Sequence, residues 1–173
     1  MLYFNRDGST SSMCGNGLRC FCAFCEKQAI TKLQESVVLT GDGYKYVVKT
    51  SNSPAMWKIN MGKENTYPSS QYVSFPLFDY PLTIHDITLN LTTIFLTNMH
   101  TIIFLESLKK YPLEILGKYI SSYKLFSHLT NVDFVEIIDE NTIHVITYEK
   151  GCGITLSCGS GASASALCAY KKG

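Results

Sequence analysis

One short pattern occurs twice and limits what this chain can become. Met13-Cys14-Gly15-Asn16-Gly17 lies near one end and Ser157-Cys158-Gly159-Ser160-Gly161 near the other. In each, a cysteine closes a strand-like run, Gly-x-Gly follows at once, and a helix-like segment opens. A cysteine so placed faces unpaired backbone N–H groups and the positive end of a helix dipole, which favours thiolate over thiol. The glycines let backbone come close to a small anion such as a carboxylate. Its recurrence, with cysteine at the same place, points to paired sulfurs facing one small substrate.

Composition narrows the partners. The 173 residues suffice for one domain or two small ones, and 46% hydrophobic content is ample for a core. A net charge of +1 gives no electrostatic footprint for nucleic acid or a membrane surface. No apolar run is long enough to span a bilayer, and no secretory signal opens the chain. The seven cysteines are odd in number and lie in two clusters, so they read as reduced thiols of a cytoplasmic protein. Cys22-x-x-Cys25 has no matching second pair and falls inside an apolar helix run, so no metal site is expected. The chain begins in strand-like sequence and stops at a helix end, which fits a fragment.

Periodicity gives an α+β chain with much antiparallel sheet in two parts. Leu2 to Arg6 reads as a strand, followed by a polar turn to Ser12. Asn16 to Ile30 reads as a helix so apolar all round that it should be buried and wrapped by sheet. Strands are expected at 36–40 and 44–50 around Gly41-Asp42-Gly43, and again at 55–61. The polar stretch 62–72 marks a junction, giving domains 1–62 and 63–173. Strands follow at 82–84, 87–91, 93–96 and 100–105. A helix at 108–123, broken near Pro112, comes next. A hairpin at 134–138 and 142–148 and an Ala/Ser-rich helix from Gly159 to Lys172 complete the pattern.

These residues resemble the diaminopimelate epimerase family. Phe4-Asn5-Arg6-Asp7-Gly8-Ser9 with Met13-Cys14-Gly15-Asn16-Gly17-Leu18-Arg19-Cys20-Phe21 is similar to its first cysteine motif. Tyr148-Glu149-Lys150-Gly151-Cys152-Gly153-Ile154-Thr155 with Cys158-Gly159-Ser160-Gly161-Ala162 is similar to its second. Asn98-Met99-His100 resembles its Asn-Pro-His segment, and Thr130-Asn131-Val132-Asp133-Phe134 an Asn-bearing strand start. The resemblance implies two similar domains, each a mostly antiparallel sheet wrapped around a central helix, with the active site between them. It implies inversion of an amino-acid α-carbon without a cofactor, converting LL- to meso-diaminopimelate in lysine and cell-wall precursor synthesis.

By the same resemblance Cys14 and Cys158 are the acid–base thiols, assisted by His100 and Glu149. Asn5, Asn98 and Asn131 hold the distal end of the substrate. Gly15, Asn16, Gly159 and Ser160 offer backbone N–H groups to the reacting carboxylate. Lys150 stands where the family has an arginine for the distal carboxylate. It keeps the charge but loses the planar two-pronged geometry. A racemase of another amino acid on this scaffold, such as histidine, therefore stays open, as do an inactive remnant and a homodimer. Proline racemases share a cysteine pair in a different residue pattern.

Residue chemistry agrees with that expectation. Inversion takes a proton from one face of a carbon and delivers another to the opposite face. Two groups of matched acidity, one thiolate and one thiol, suit the task. Backbone N–H groups beyond each cysteine can hold the carboxylate as charge builds on it.

Overall fold

A computed structural model describes residues 1–4, 8, 10–30 and 34–173. These divide into two units, Met1–Gly62 and Lys63–Gly173. Asn5, Arg6, Asp7 and Ser9 lie outside the described residues. So does that part of the expected first strand and turn. Among the described residues, no helix is long and apolar enough to cross a membrane.

In the first unit, β1 (Tyr3–Phe4) pairs antiparallel with β2 (Thr10–Ser11). The stretch expected to be wholly turn thus carries a short strand. Helix α1 (Gly15–Lys27) follows directly from Cys14. β3 (Glu35–Thr40), β4 (Gly43–Asn52) and β5 (Ala55–Ile59) then form a three-stranded antiparallel sheet. The β3–β4 hairpin closes at Gly43, whose φ of 81° suits a residue without Cβ. Lys49 on β4 grips Glu26 on α1 through both carboxylate oxygens, at 2.6 and 2.7 Å.

The expectation that α1 is buried all round is not met. Leu18, Cys22 and Cys25 are buried, the first two against a core that includes Met13, Val38 and Val47. Cys20, Phe21 and Phe24 are exposed. Apolar content alone does not bury a helix on every side, and a sheet of three strands offers only one face. Full burial of Leu18 contributes roughly 1.5–3 kcal/mol by area. The exposed aromatics add nothing comparable.

The second unit is a six-stranded sheet in the order β11-β10-β9-β8-β7-β6. Its strands are β6 (Tyr80–Ile84), β7 (Ile87–Leu96), β8 (Asn98–Phe104), β9 (Asn131–Asp139), β10 (Thr142–Glu149) and β11 (Gly153–Thr155). β7 runs through as one strand where two short ones were expected. The chain reverses between β7 and β8 at Thr97, which is buried with φ of 60°. β8 and β9 pair in parallel and the other neighbours antiparallel. A parallel pair needs a crossover, supplied here by α2 (Leu113–Ser121). The helix expected over 108–123 is split into a 3₁₀ turn at Leu108–Lys110 and α2, because Pro112 lacks the N–H a continuous helix would use.

Strand alternation sorts the two faces of this sheet. Met99 and Ile103 on β8, Val132 and Phe134 on β9, and Ile146 and Tyr148 on β10 share one cluster with Leu113, Leu116 and Ile120 of α2. The alternate residues, His100, Asp133 and Thr147, point to the other face. There α3 (Gly159–Lys172) lies on the sheet by Gly161, where a Cβ would collide with Asp133 and Thr147. The candidate site forms on this second face.

Candidate functional site

The two cysteine turns have the same local build. Cys14 is the N-cap of α1 with φ −138° and ψ 114°, and Cys158 is the N-cap of α3 with φ −126° and ψ 110°. Each offers its carbonyl to the N–H four residues on, Leu18 at 2.8 Å and Ala162 at 2.9 Å. At the first turn the Gly17 N–H donates to Cys14 Sγ at 3.3 Å. Gly15 and Asn16 form the opening turn of α1, and Asn16 accepts a hydrogen bond from Arg19. Asn5, expected beside this turn, lies outside the described residues.

The second unit holds most of the other expected residues, and it brings Ser160, His100 and Glu149 toward Cys158. Ser160 Oγ lies 3.5 Å from Cys158 Sγ and 3.0 Å from His100 Nε2. His100 is fully buried, and Ser160 links it to Cys158. Its Nδ1 lies 2.6 Å from Asp133 Oδ2. The other Asp133 oxygen accepts from Thr147 Oγ1 at 2.6 Å. Asn131 sits opposite His100 in the parallel register and accepts from the Lys150 N–H at 3.0 Å. Glu149 ends β10 and accepts from Thr155 Oγ1 at 2.7 Å. Asn98 is half-buried at the start of β8, Gly159 opens α3 with free space around it, and the Lys150 side chain is exposed.

Asp133 and Thr147 were missed as site residues. The signal for Asp133 is visible in the sequence. An aspartate between Val132 and Phe134 in a strand is disfavoured there and needs a partner.

Electrostatics overturns one expectation for Cys158. A helix N-terminus should draw a thiol toward thiolate, yet the Cys158 thiol is raised to about 11. Burial is the largest cause, and the Ser160 hydroxyl and the Gly161 N–H pull it partly back. The nearby charges of Glu149 and Asp133 push it further up. In this arrangement Cys158 holds its proton near neutral pH.

Cys168, further along α3, is likewise raised to about 11 from 9.0, chiefly by burial. A raised thiol binds its proton more tightly folded than unfolded. Its contribution to stability is therefore whole below the unfolded value and is lost as pH climbs toward 11. Replacing Cys168 with alanine should flatten the alkaline fall in stability by on the order of 2 kcal/mol. Urea midpoints of both proteins across that pH range measure the difference in slope.

Comparison with known proteins shows what the chain is similar to. The diaminopimelate epimerase family profile matches residues 92–173, wholly inside the second unit. A diaminopimelate epimerase from Clostridium perfringens is 38% identical over 183 residues, covering 100% of this chain and 64% of that protein. The chain is similar to the diaminopimelate epimerases. A second such epimerase, from Alkaliphilus metalliredigens, is 38% identical, with 94% of this chain and 59% of that protein covered. The chain thus spans about three fifths of the length of these epimerases.

Solved structures share its mixed α/β fold. A probable proline racemase from Agrobacterium radiobacter superposes with a TM-score of 0.69 at 15% identity, over 99% of this chain and 56% of that one. A hydroxyproline epimerase from Agrobacterium vitis gives 0.67 at 12% identity, over 99% and 55%. The likeness to these two proteins is one of fold.

Proposed function

We propose that this chain is a cofactor-independent amino-acid epimerase that interconverts LL- and meso-diaminopimelate, with Cys14 and Cys158 as its two acid–base thiols. The observation that carries this is the matched pair of cysteine N-caps, together with relatives named for that reaction. The two units are then related domains, each built on one cysteine-headed helix and a mostly antiparallel sheet.

One thiol takes the α-proton as a thiolate while the other delivers a proton to the opposite face. The reverse direction exchanges their roles. Cys158, raised by burial, starts as the donor. Backbone N–H groups of Gly15, Asn16, Gly159 and Ser160 hold the α-carboxylate as the carbanion develops. His100 and Glu149 assist the thiols. Asn5, Asn98, Asn131 and Lys150 hold the distal end of the substrate.

The test is α-proton exchange in deuterated buffer, followed by NMR, with LL-diaminopimelate and histidine offered separately. Exchange with diaminopimelate is the expected result. Exchange with histidine alone would assign the chain to the other racemase, the alternative that Lys150 keeps open. A folded protein exchanging neither would overturn the reading.

A further inference from the structure

Five side chains make one hydrogen-bonded line beneath the N-terminus of α3. It runs from Thr147 through Asp133, His100 and Ser160 to Cys158, with successive separations of 2.6, 2.6, 3.0 and 3.5 Å. Asp133 and His100 are fully buried, and Thr147 and Ser160 nearly so. A buried carboxylate survives only where each oxygen has a partner, and Asp133 has one on each. The proposed function uses His100 and Cys158 but gives Asp133 nothing to do.

We propose that Asp133 is a positioning residue that, through His100 and the Ser160 hydroxyl, decides whether Cys158 keeps or yields its proton. This rests on Cys158 being an acid–base thiol. As a carboxylate Asp133 can only accept, so His100 Nδ1 carries a hydrogen and Nε2 is left to accept from the Ser160 hydroxyl. The Ser160 oxygen in turn accepts from the Cys158 S–H. The line therefore has one polarity. The Cys158 S–H bond breaks as Ser160 Oγ takes that proton. The Ser160 O–H bond breaks as His100 Nε2 takes the other. The products are a Cys158 thiolate, an intact Ser160 hydroxyl, and a His100 imidazolium held against Asp133. No proton leaves for solvent and the net charge of the cluster is unchanged. Burial therefore opposes this transfer less than it opposes bare ionisation of the thiol.

Other charges bear on the same sulfur. Glu149 at the end of β10 and Asp133 on β9 both face Cys158 and oppose a negative charge there. Asp133 also raises Cys168 on α3. If Asp133 acted only through space, removing its charge would make Cys158 easier to ionise. The proposed line predicts the opposite sign, because His100 loses the carboxylate that holds its positive charge.

The measurement is iodoacetamide alkylation of Cys158 in the intact chain, resolved by peptide mass spectrometry from neutral to alkaline pH. It needs no substrate, so it can succeed or fail independently of the exchange assay. Asp133→Asn should slow alkylation at neutral pH roughly tenfold, moving the profile up by about one pH unit. His100→Gln should slow it similarly while the Asp133 charge remains, and it carries the test should Asp133→Asn fail to fold. Alkylation unchanged or faster in the folded variants would overturn the proposal.

Discussion

Under the proposed function, Cys14→Ser and Cys158→Ser are each expected to lower inversion of LL-diaminopimelate by about 10²–10⁴-fold, the usual worth of a positioned proton-transfer group. A serine hydroxyl is far less acidic than a thiol. At neutral pH it neither supplies the base nor yields its proton as readily to a carbanion. The two variants should fail alike at inversion and differ at exchange. With Cys158 replaced, a thiolate at Cys14 can still take a proton from its own face and return deuterium to it. With Cys14 replaced, the residual exchange should belong to the other epimer. Following deuterium uptake and stereochemistry separately for each epimer reads this directly. Equal residual exchange of both epimers in either variant would point to a single base and end the two-thiol account.

Gly161→Ala is expected to destabilise the second unit by roughly 3 kcal/mol, at the upper end of overpacking. The added Cβ would overlap Asp133 Oδ1 and lie 2.9 Å from Thr147 Oγ1. Neither neighbour can withdraw easily. Asp133 is fixed by His100 and Thr147, and both residues are buried. The N-terminus of α3 must lift instead, and Cys158 rises with it. Ordinary glycine-to-alanine gain in a helix is at most about 1 kcal/mol and does not reverse the sign. Gly159→Ala is the control. Its Cβ would meet nothing within 4 Å, so stability should hold or rise slightly. Urea denaturation of the three proteins decides it, and a Gly161→Ala variant as stable as Gly159→Ala would show that helix and sheet are not in contact at this point.

Local chemistry was legible in the sequence and distant pairing was not. Gly41-Asp42-Gly43 announced the β3–β4 hairpin, and both Gly-x-Gly turns announced helix starts within a residue. Pro112 marks a break in the helix expected over 108–123, and the structure puts a 3₁₀ turn before it. The parallel seam between β8 and β9 was hidden, because its partners are 31 residues apart at His100 and Asn131 and no local signal names them. The misjudged burial of α1 has a related cause. Phe21 and Phe24 are apolar whether or not anything covers them, and the covering depends on how many strands lie nearby. The Cys158 thiol shows two correct principles in competition, with burial outweighing the helix dipole. Asp133 takes no role from its neighbours in the sequence, because its meaning depends on His100, Thr147 and Ser160 arriving from three other elements.

That parallel seam has a kinetic corollary. His100 meets Asp133 only after the chain between β8 and β9 has crossed the sheet as α2 and come back, and Ser160 reaches them later in the sequence still. Contacts spanning such separations close late and together, since the entropy of ordering the intervening loop must be met before any of them forms. A nascent or partly unfolded second unit would therefore present Cys158 as an ordinary solvent-facing thiol, and its proton-holding character would emerge only as the last strand and helix dock.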